Sequence, residues 1–297
     1  MTRFIVPKIS DYADLRARAN RERLEVSIDK LDGPLVSIIT VCRDARATIA
    51  RTMDSVQSQT YKRIEHIIID GDSRDGTWEL VQARQPFPGW CLHEPDGGIS
   101  DAFNRGIAAA AGDYIAILNA DDILAPEAIT TSVTALEAHS WATWSFGGCD
   151  FTRDGERVLH QSADPNYALV IRRTMPLFNH PTVVMRAAAY ADYGMFRTDL
   201  HLAMDYDLLL RFHLAGLRGV ALDHTLAVMA LGGVSCRQIL GAYREAASIS
   251  VDHGQHPLSA YLYRLLRSFT PALRLAAQGT PLPRWRQALR RHHKRDV

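Results

Sequence analysis

Apolar and polar positions between residues 35 and 136 follow a pattern that predicts strands and helices in alternation. Residues 35–42 and 64–70 are apolar runs of strand length, and residues 48–59 and 77–83, which follow them, have the spacing of helices. Strands and helices that alternate in this way form right-handed βαβ crossovers. The pattern therefore predicts a mainly parallel sheet flanked by helices.

The most informative segment is 91–123, where a glycine turn, a small-residue helix, an apolar strand and two aspartates come in immediate succession. We expect the helix to begin near Ile99 and to be closed by Gly112, since alanine favours helices and glycine ends them. Residues 114–118 are apolar and uncharged, as expected of a strand buried on both faces. The polar side chains that follow this strand are Asn119, Asp121 and Asp122.

Two interpretations of this acidic turn stay open at the level of the residues. Open α/β sheets bind ligands at the carboxyl ends of their strands, and hard divalent cations are held by carboxylates together with phosphate oxygens. The turn then belongs to a site for a metal-chelated diphosphate. Alternatively, it is only a polar turn that caps a helix beginning near Pro126, because proline is common in the first turn of a helix.

The flanking regions have weaker patterns. Residues 1–33 indicate a charged helix and a linker, and residues 141–160 indicate short strands. Residues 179–186 then predict a strand and residues 206–215 a helix, and the chain after residue 238 predicts helices that end in an arginine-rich tail.

Composition describes an ordinary globular protein. Of 297 residues, 47% are hydrophobic and 23% charged, which is enough apolar material for a full core. A net charge of +1 gives no reason to expect nucleic acid as a partner. Four scattered cysteines without a CxxC pair fit a reducing cytosol, and neither a secretory signal nor a membrane-spanning run is evident.

Further carboxylates lie at predicted strand and helix ends. Asp70 ends the second strand, and Asp72 and Asp75 follow it in a loop. Asp205 and Asp207 open the amphipathic helix of the second half. Residues two apart on a helix do not share a face, so only one of that pair can point into a cleft. The other is expected to complement the helix dipole from the first turn.

In their order and spacing these motifs resemble the family 2 glycosyltransferases of the GT-A fold, a large bacterial group that builds polysaccharides and glycolipids. The resemblance runs from about residue 36 to residue 235. Its segments are SIITVCRDARATIARTMDSVQSQTYKRIEHIIIDGDSRDGT, EPDGGISDAFNRGIAAAAGDYIAILNADD, FNHPTVVMR, AMDYDLLLRF and LGGVS.

The resemblance implies a fold and a division of the chain. The fold is α/β of the Rossmann-like GT-A type, a mainly parallel sheet flanked by helices, with a helical C-terminal extension. The implied regions are a helix and linker at 1–33, a transferase domain at 34–236 and a basic extension at 237–297. Within that domain, residues 34–123 form the nucleotide half and residues 124–236 the acceptor half.

The resemblance also implies a reaction. A sugar moves from a nucleotide-diphosphate donor to a carbohydrate or lipid-linked acceptor with inversion, and Asp205 matches the catalytic base. The family's DxD element corresponds to Asn119, Asp121 and Asp122, so Asp121 and Asp122 are the expected ligands of a divalent cation, Mn²⁺ or Mg²⁺. The expected donor-binding residues are Thr40, Val41, Asp70, Asp72, Asp101, Asn104, Asn119, Ala120 and Asp121. The acceptor-side candidates are His180 and Asp207.

The basic tail has two readings. Its arginines are interleaved with leucines and Trp285, and such a helix lies on an anionic membrane surface or packs its leucines on the catalytic domain. The expected location is the cytoplasm, with a peripheral contact at the inner face of the cell membrane under the first reading.

Parts of the sequence also suit three functions other than sugar transfer. The run IIIDGDS also resembles the DxD loop of haloacid dehalogenase-type phosphatases, with Asp70 and Asp72 as nucleophile and acid, but no lysine lies between that loop and Lys294 to steady a phosphoryl group. A sugar nucleotidyltransferase would show a glycine-rich loop after the first strand, and CRDARAT has no glycine. A silent carbohydrate-binding protein would not need the acids that are retained.

Overall fold

The computed structural model describes residues 4–23, 32–153, 155–176, 178–231 and 239–262. The strands are β1 (Val36–Cys42), β2 (Ile64–Asp70), β3 (Gly89–His93), β4 (Tyr114–Asn119), β5 (Ile123–Leu124), β6 (Trp144–Arg153), β7 (Glu156–Gln161), β8 (Val184–Arg186) and β9 (Gly219–Ala230). The α-helices are α1 (Ala13–Glu22), α2 (Ile49–Gln57), α3 (Thr77–Ala83), α4 (Ile99–Ala109), α5 (Ala128–Ala138), α6 (Tyr167–Val170), α7 (Ala187–Tyr193), α8 (Met204–Leu214) and α9 (Ile239–Asp252). Two 3₁₀ helices cover Ile9–Tyr12 and His180–Thr182.

Within those residues the strands form one nine-stranded sheet in the order β3-β2-β1-β4-β8-β6-β9-β5, with β7 paired to β6. The strands β3, β2, β1 and β4 are parallel, which confirms the prediction for the first half. The second half is mixed, because β8 runs antiparallel to both β4 and β6, whereas β6 and β9 are parallel. The result is the α/β sheet that the sequence predicted, with a less regular half beyond β4.

The central strands of the parallel half are fully buried. All seven residues of β1 and all seven of β2 are buried, because helices cover both faces of the sheet. Helix α4 approaches β1 so closely that a β-carbon at Gly106 would collide with the side chain of Ile39. This close packing places the start of α4 beside the carboxyl ends of the central strands.

Two local predictions needed correction. The strand expected at 179–186 is shorter, since residues His180–Thr182 form a 3₁₀ helix around Pro181, which lacks an amide hydrogen for a strand ladder. Helix α4 ends at Ala109, before Gly112, because Ala110 is already extended. Strand β3 was not predicted at all.

Further expectations concern membrane-spanning helices, the cysteines and the C-terminal tail. No helix in the described ranges is long and apolar enough to cross a membrane. Cys42, Cys91 and Cys149 are free thiols, and Cys236 lies outside the described residues. The arginine-rich tail from residue 263 onward also lies outside them, so both readings of that tail stay predictions.

Candidate functional site

The parallel strands bring the predicted acidic positions to one edge of the sheet. In the β1–β2 register Cys42 stands beside Asp70, and in the β1–β4 register Val41 stands beside Asn119. On the outer side, Asp70 pairs with His93 of β3. The carboxyl ends of four strands are therefore level, as the alternating pattern required.

The acidic turn after β4 combines a buried and a more accessible carboxylate. Asp122 is 2% exposed, and Asp121 is half-buried. Burial and the neighbouring Asp121 charge raise the pKa of Asp122 well above its usual value, against a hydrogen bond from Asn119. Burial also raises the pKa of Asp121. Two carboxylates with raised pKa values side by side are a place where positive charge is stabilised.

Unpartnered polar atoms converge beside this turn. The buried atoms Asn119 Oδ1, Asp122 Oδ2 and His180 Nε2 have no hydrogen-bond partner. His180 Nε2 lies 4.0 Å from Asp122 Oδ2, and burial lowers the pKa of His180 to about 4. A buried polar atom without a partner is costly, so three of them in one place indicate a site that a ligand completes.

A cavity of about 220 Å³ opens next to these atoms. Its lining includes the polar side chains of Asn119, His180, His201 and Asp205, and its remaining walls are mostly apolar side chains from α4, α7, α8, β4, β8 and the loops beside β8 and α8. Asn119, at the end of β4, and Asp205, in the first turn of α8, thus share one cavity. Asp70, Asp121 and Asp122 do not line it, although Asp122 is next to it through His180.

Asp205 presents its carboxylate in the first turn of α8, where the sequence placed it. One oxygen accepts the amide of Tyr206 at 2.8 Å. Burial raises the pKa of Asp205 to about 6, and the backbone hydrogen bonds only partly offset this. A carboxylate that is ionised near neutral pH and is held at a cavity wall is suited to accept a proton.

Asp207 is fully buried on the other side of α8. Its oxygens lie 2.8 Å from Arg211 Nε, 3.4 Å from an Arg197 nitrogen and 3.0 Å from His253 Nε2. Burial alone would raise the pKa of Asp207, but His253 and the two arginines outweigh burial and lower it. Asp207 does not line the cavity, so the expected acceptor contact is corrected to a structural ion network.

The carboxylate of Asp70 is bonded to three neighbouring residues. Its carboxylate accepts the amide of Ser73 at 2.8 Å, lies 2.7 Å from His93 Nδ1, and accepts the thiol of Cys42 at 3.3 Å. The side chain is fully buried, which disfavours a nucleophilic aspartate of the phosphatase type. Asp72, with a φ of 63°, is more open and pairs with Arg74 at 3.3 Å.

Other predicted donor residues have structural partners. Thr40 Oγ1 lies 2.9 Å from His66 Nε2, and Ala120 packs in a small buried cluster. Asp101 accepts the hydroxyl of Tyr12 at 2.8 Å, and Asn104 exchanges two hydrogen bonds, of 2.8 and 2.9 Å, with the backbone of Phe196. The contacts of Asp101 and Asn104 hold α4 in place. A role of all four side chains in donor binding stays a prediction.

Two residues of this region were not found from the sequence. His93 stacks on Trp78 with ring centroids 4.9 Å apart and bonds Asp70, and recognising β3 would have brought it to the sheet edge. Glu245 of α9 binds the loop before Asp205. No local signal marks Glu245, because its partners lie 42 to 44 positions earlier in the chain.

Comparison with known proteins gives a family match over the first half. Residues 37–191 match the model of Glycosyl transferase family 2. The chain is 29% identical over 270 residues to EpsE of Bacillus subtilis, a protein named as a glycosyltransferase, and this alignment covers 81% of the chain and 91% of EpsE. Both the cavity and the acidic turn thus lie in a region with recognisable relatives.

A second relative and a solved structure extend the comparison. Over 104 residues the chain is 36% identical to WfaP of Escherichia coli, named as a UDP-Glc:alpha-D-GlcNAc-diphosphoundecaprenol beta-1,3-glucosyltransferase, covering 35% of the chain and 41% of WfaP. The structure of the mannosyltransferase PcManGT from Pyrobaculum calidifontis, in complex with GDP-Man and Mn²⁺, superimposes with a TM-score of 0.60 at 18% identity. That superposition covers 96% of this chain and 87% of PcManGT, so the two share a fold.

Proposed function

The chain belongs to glycosyltransferase family 2 and is a glycosyltransferase, and from this premise we propose that it inverts the anomeric centre of the sugar it transfers. The donor is a nucleotide-diphosphate sugar, and the acceptor is a hydroxyl of a carbohydrate or of a lipid-linked sugar. The reaction belongs to the synthesis of a cell-surface polysaccharide or glycolipid.

The observation that carries this proposal is the shared cavity. Asn119 ends the strand that leads into Asp121 and Asp122, and Asp205 begins α8, yet both side chains line the same space. An anomeric carbon held there would have the diphosphate on the side of the acidic turn and the carboxylate of Asp205 on the other. That arrangement suits a single displacement, in which the attacking and leaving oxygens lie on opposite faces of the sugar.

Asp205 acts as the general base in this scheme. Its carboxylate takes the proton of the acceptor hydroxyl as that oxygen forms a bond to the anomeric carbon, while the bond from that carbon to the diphosphate oxygen breaks. A pKa of about 6 leaves the carboxylate mostly ionised at neutral pH and still basic enough to take part in the transfer.

The residues of the acidic turn fit a divalent cation. Asp122 Oδ2 and Asn119 Oδ1 are buried oxygens without partners, and oxygen is the ligand that Mg²⁺ and Mn²⁺ prefer. Among the described residues, no three His, Cys, Asp or Glu side chains converge on one point, which suits an ion that takes its remaining ligands from phosphate and water. When bound, the cation would neutralise the leaving diphosphate. Asp121 and Asp122 would hold it, with Asn119 beside them.

The relatives support the classes of donor and acceptor. PcManGT was solved with GDP-Man and Mn²⁺, and the name of WfaP gives a UDP-sugar as donor and a diphosphoundecaprenol-linked sugar as acceptor. A cytoplasmic enzyme that meets such an acceptor at the inner face of the membrane would suit the basic tail.

The test is a thermal-shift panel of UDP-, GDP- and dTDP-sugars with and without MnCl₂. We expect one nucleotide class to raise the melting temperature only when manganese is present, because the cation bridges the acidic turn and the diphosphate. Stabilisation by inorganic phosphate alone, with no response to any sugar nucleotide, would contradict the proposal.

A further inference from the structure

The carboxylate of Glu245, on α9, accepts three backbone hydrogen bonds from the loop that precedes α8. The amide of His201 donates to Oε1 at 3.0 Å, and the amides of Leu202 and Ala203 donate to Oε2 at 2.7 and 2.6 Å. Three consecutive amides thus point at one side chain. Helix α9 lies outside the residues that match the family model, which end at 191.

The loop held by Glu245 forms part of the cavity. The side chains of His201 and Leu202 line the cavity wall, and Ala203 is the N-cap residue of α8, directly before Met204. Asp205 follows two positions later, and its carboxylate accepts the amide of Tyr206 at 2.8 Å. The orientation of the Asp205 carboxylate therefore depends on where this loop starts the helix.

We propose that Glu245 is a positioning residue for the reaction: it fixes the backbone before α8 so that Asp205 and the cavity wall meet the acceptor hydroxyl. This inference rests on the role proposed above for Asp205 as the base. The negative charge of Glu245 also raises the pKa of Asp205, after the larger effect of burial. Glu245 thus acts on both the place and the basicity of the carboxylate.

A carboxylate is needed at this position for a geometric reason. Three N–H donors require three acceptor lone pairs, which two carboxylate oxygens supply. Glutamine has nearly the same shape but offers one oxygen, and its NH₂ group would face an amide N–H. The Glu245→Gln variant therefore loses both the full set of three amide hydrogen bonds and the negative charge. The Glu245→Asp variant keeps the charge on a side chain that is one methylene shorter.

Three titratable groups bear on Asp205 and must be separated in a pH experiment. His180 faces the cavity from the 3₁₀ helix, His201 faces it from the loop, and Glu245 acts from α9. Asp207, on the same helix, is buried among arginines. A His201→Asn variant removes the histidine on the loop, and an acid limb that persists in it belongs to another group.

The experiment compares pH profiles of kcat/KM, kcat values and donor Kd by calorimetry for the full-length wild type, Glu245→Gln, Glu245→Asp and Asp205→Asn. Arg244→Gln, a change at the exposed neighbour of Glu245, is the matched control. We expect kcat of Glu245→Gln to fall about ten- to a hundredfold, the order of loss that misplacement of a catalytic group causes. Donor Kd should stay within about twofold, since the donor contacts are elsewhere.

The direction of the pH shift separates positioning from simple stabilisation. Removing a negative charge beside Asp205 lowers its pKa, so the acid limb of Glu245→Gln should move to lower pH, while that of Glu245→Asp stays in place with a reduced kcat. An unchanged kcat and limb in Glu245→Gln would overturn the proposal. So would a lowered melting temperature with an unmoved limb, or a failure of both variants to fold, since either result assigns Glu245 to stability alone. Full transfer by Asp205→Asn would instead overturn the base itself.

Discussion

Asp205 and Asp207 lie two residues apart in the first turn of α8, yet their surroundings differ in every respect. Asp205 faces a cavity, accepts backbone hydrogen bonds, and has a pKa raised to about 6 by burial. Asp207 is fully buried, has two arginines and a histidine as partners, and has a lowered pKa. An acid with few partners is available for chemistry, whereas an acid with many partners stabilises the fold.

The largest expected effect is the loss of sugar transfer when Asp205 is replaced. Asp205→Asn should reduce sugar transfer by about 10²- to 10⁴-fold, the usual contribution of a positioned general base, because the amide cannot accept the proton. Product formation with the donor selected by thermal shift measures this loss. A variant that retained more than a tenth of wild-type transfer would remove Asp205 from its role.

The next largest effect is the loss of folding stability when Asp207 is replaced. Asp207→Ala should lower the free energy of unfolding by about 3–5 kcal/mol, because it removes the carboxylate paired with the buried Arg211 and one of the three carboxylates around Arg197. Urea denaturation followed by circular dichroism measures the change, with the exposed Asp192→Ala as a control. A loss no larger than that of the control would contradict the network.

The sequence placed both acids at a helix start and predicted that only one of them could face a cleft, and the role of Asp205 as the base stays a prediction. The position of Asp205 could be predicted because the segment AMDYDLLLRF resembles a family motif and because the pattern indicated a helix there. The partners of Asp207 could not, since Arg197 and His253 come from elements 10 and 46 positions away along the chain. For the same reason the role of Glu245 could not be predicted from the sequence. The parallel pairing of β1, β2 and β4, by contrast, followed directly from their alternation with helices.

A third effect concerns pH. Because Asp205 must be ionised to accept a proton, kcat/KM should rise with pH through about 6 and level off above it. If the carboxylate had its usual pKa, kcat/KM would rise near pH 4 instead. The pH at which kcat/KM rises, the acid limb of the profile, therefore measures how far burial raises the pKa of Asp205. An acid limb below pH 5 in the wild type would contradict the geometry described for the cavity.

The smallest expected effect is a gain in stability. The folded-state pKa of Asp205 lies above its unfolded value, so ionisation costs stability as pH rises through about 6. At pH 7.5 Asp205→Asn should therefore stabilise the fold by on the order of 1 kcal/mol, and the gain should vanish near pH 4. Asp207→Asn should do the opposite, since a lowered pKa means stability that is present at neutral pH and is lost on acidification. Thermal melts at the two pH values measure both.

The most direct measurement of the central claim is titration calorimetry of the selected sugar nucleotide, with and without Mn²⁺, on Asp121→Ala, Asp122→Ala and Asp205→Asn. If the acidic turn holds the cation-bound diphosphate and Asp205 acts only on the acceptor, the first two variants should lose manganese-dependent binding. The third should bind the donor as the wild type does. Equal weakening in all three, or undiminished binding in Asp121→Ala and Asp122→Ala, would contradict the assignment of the acidic turn to the donor and of Asp205 to the acceptor.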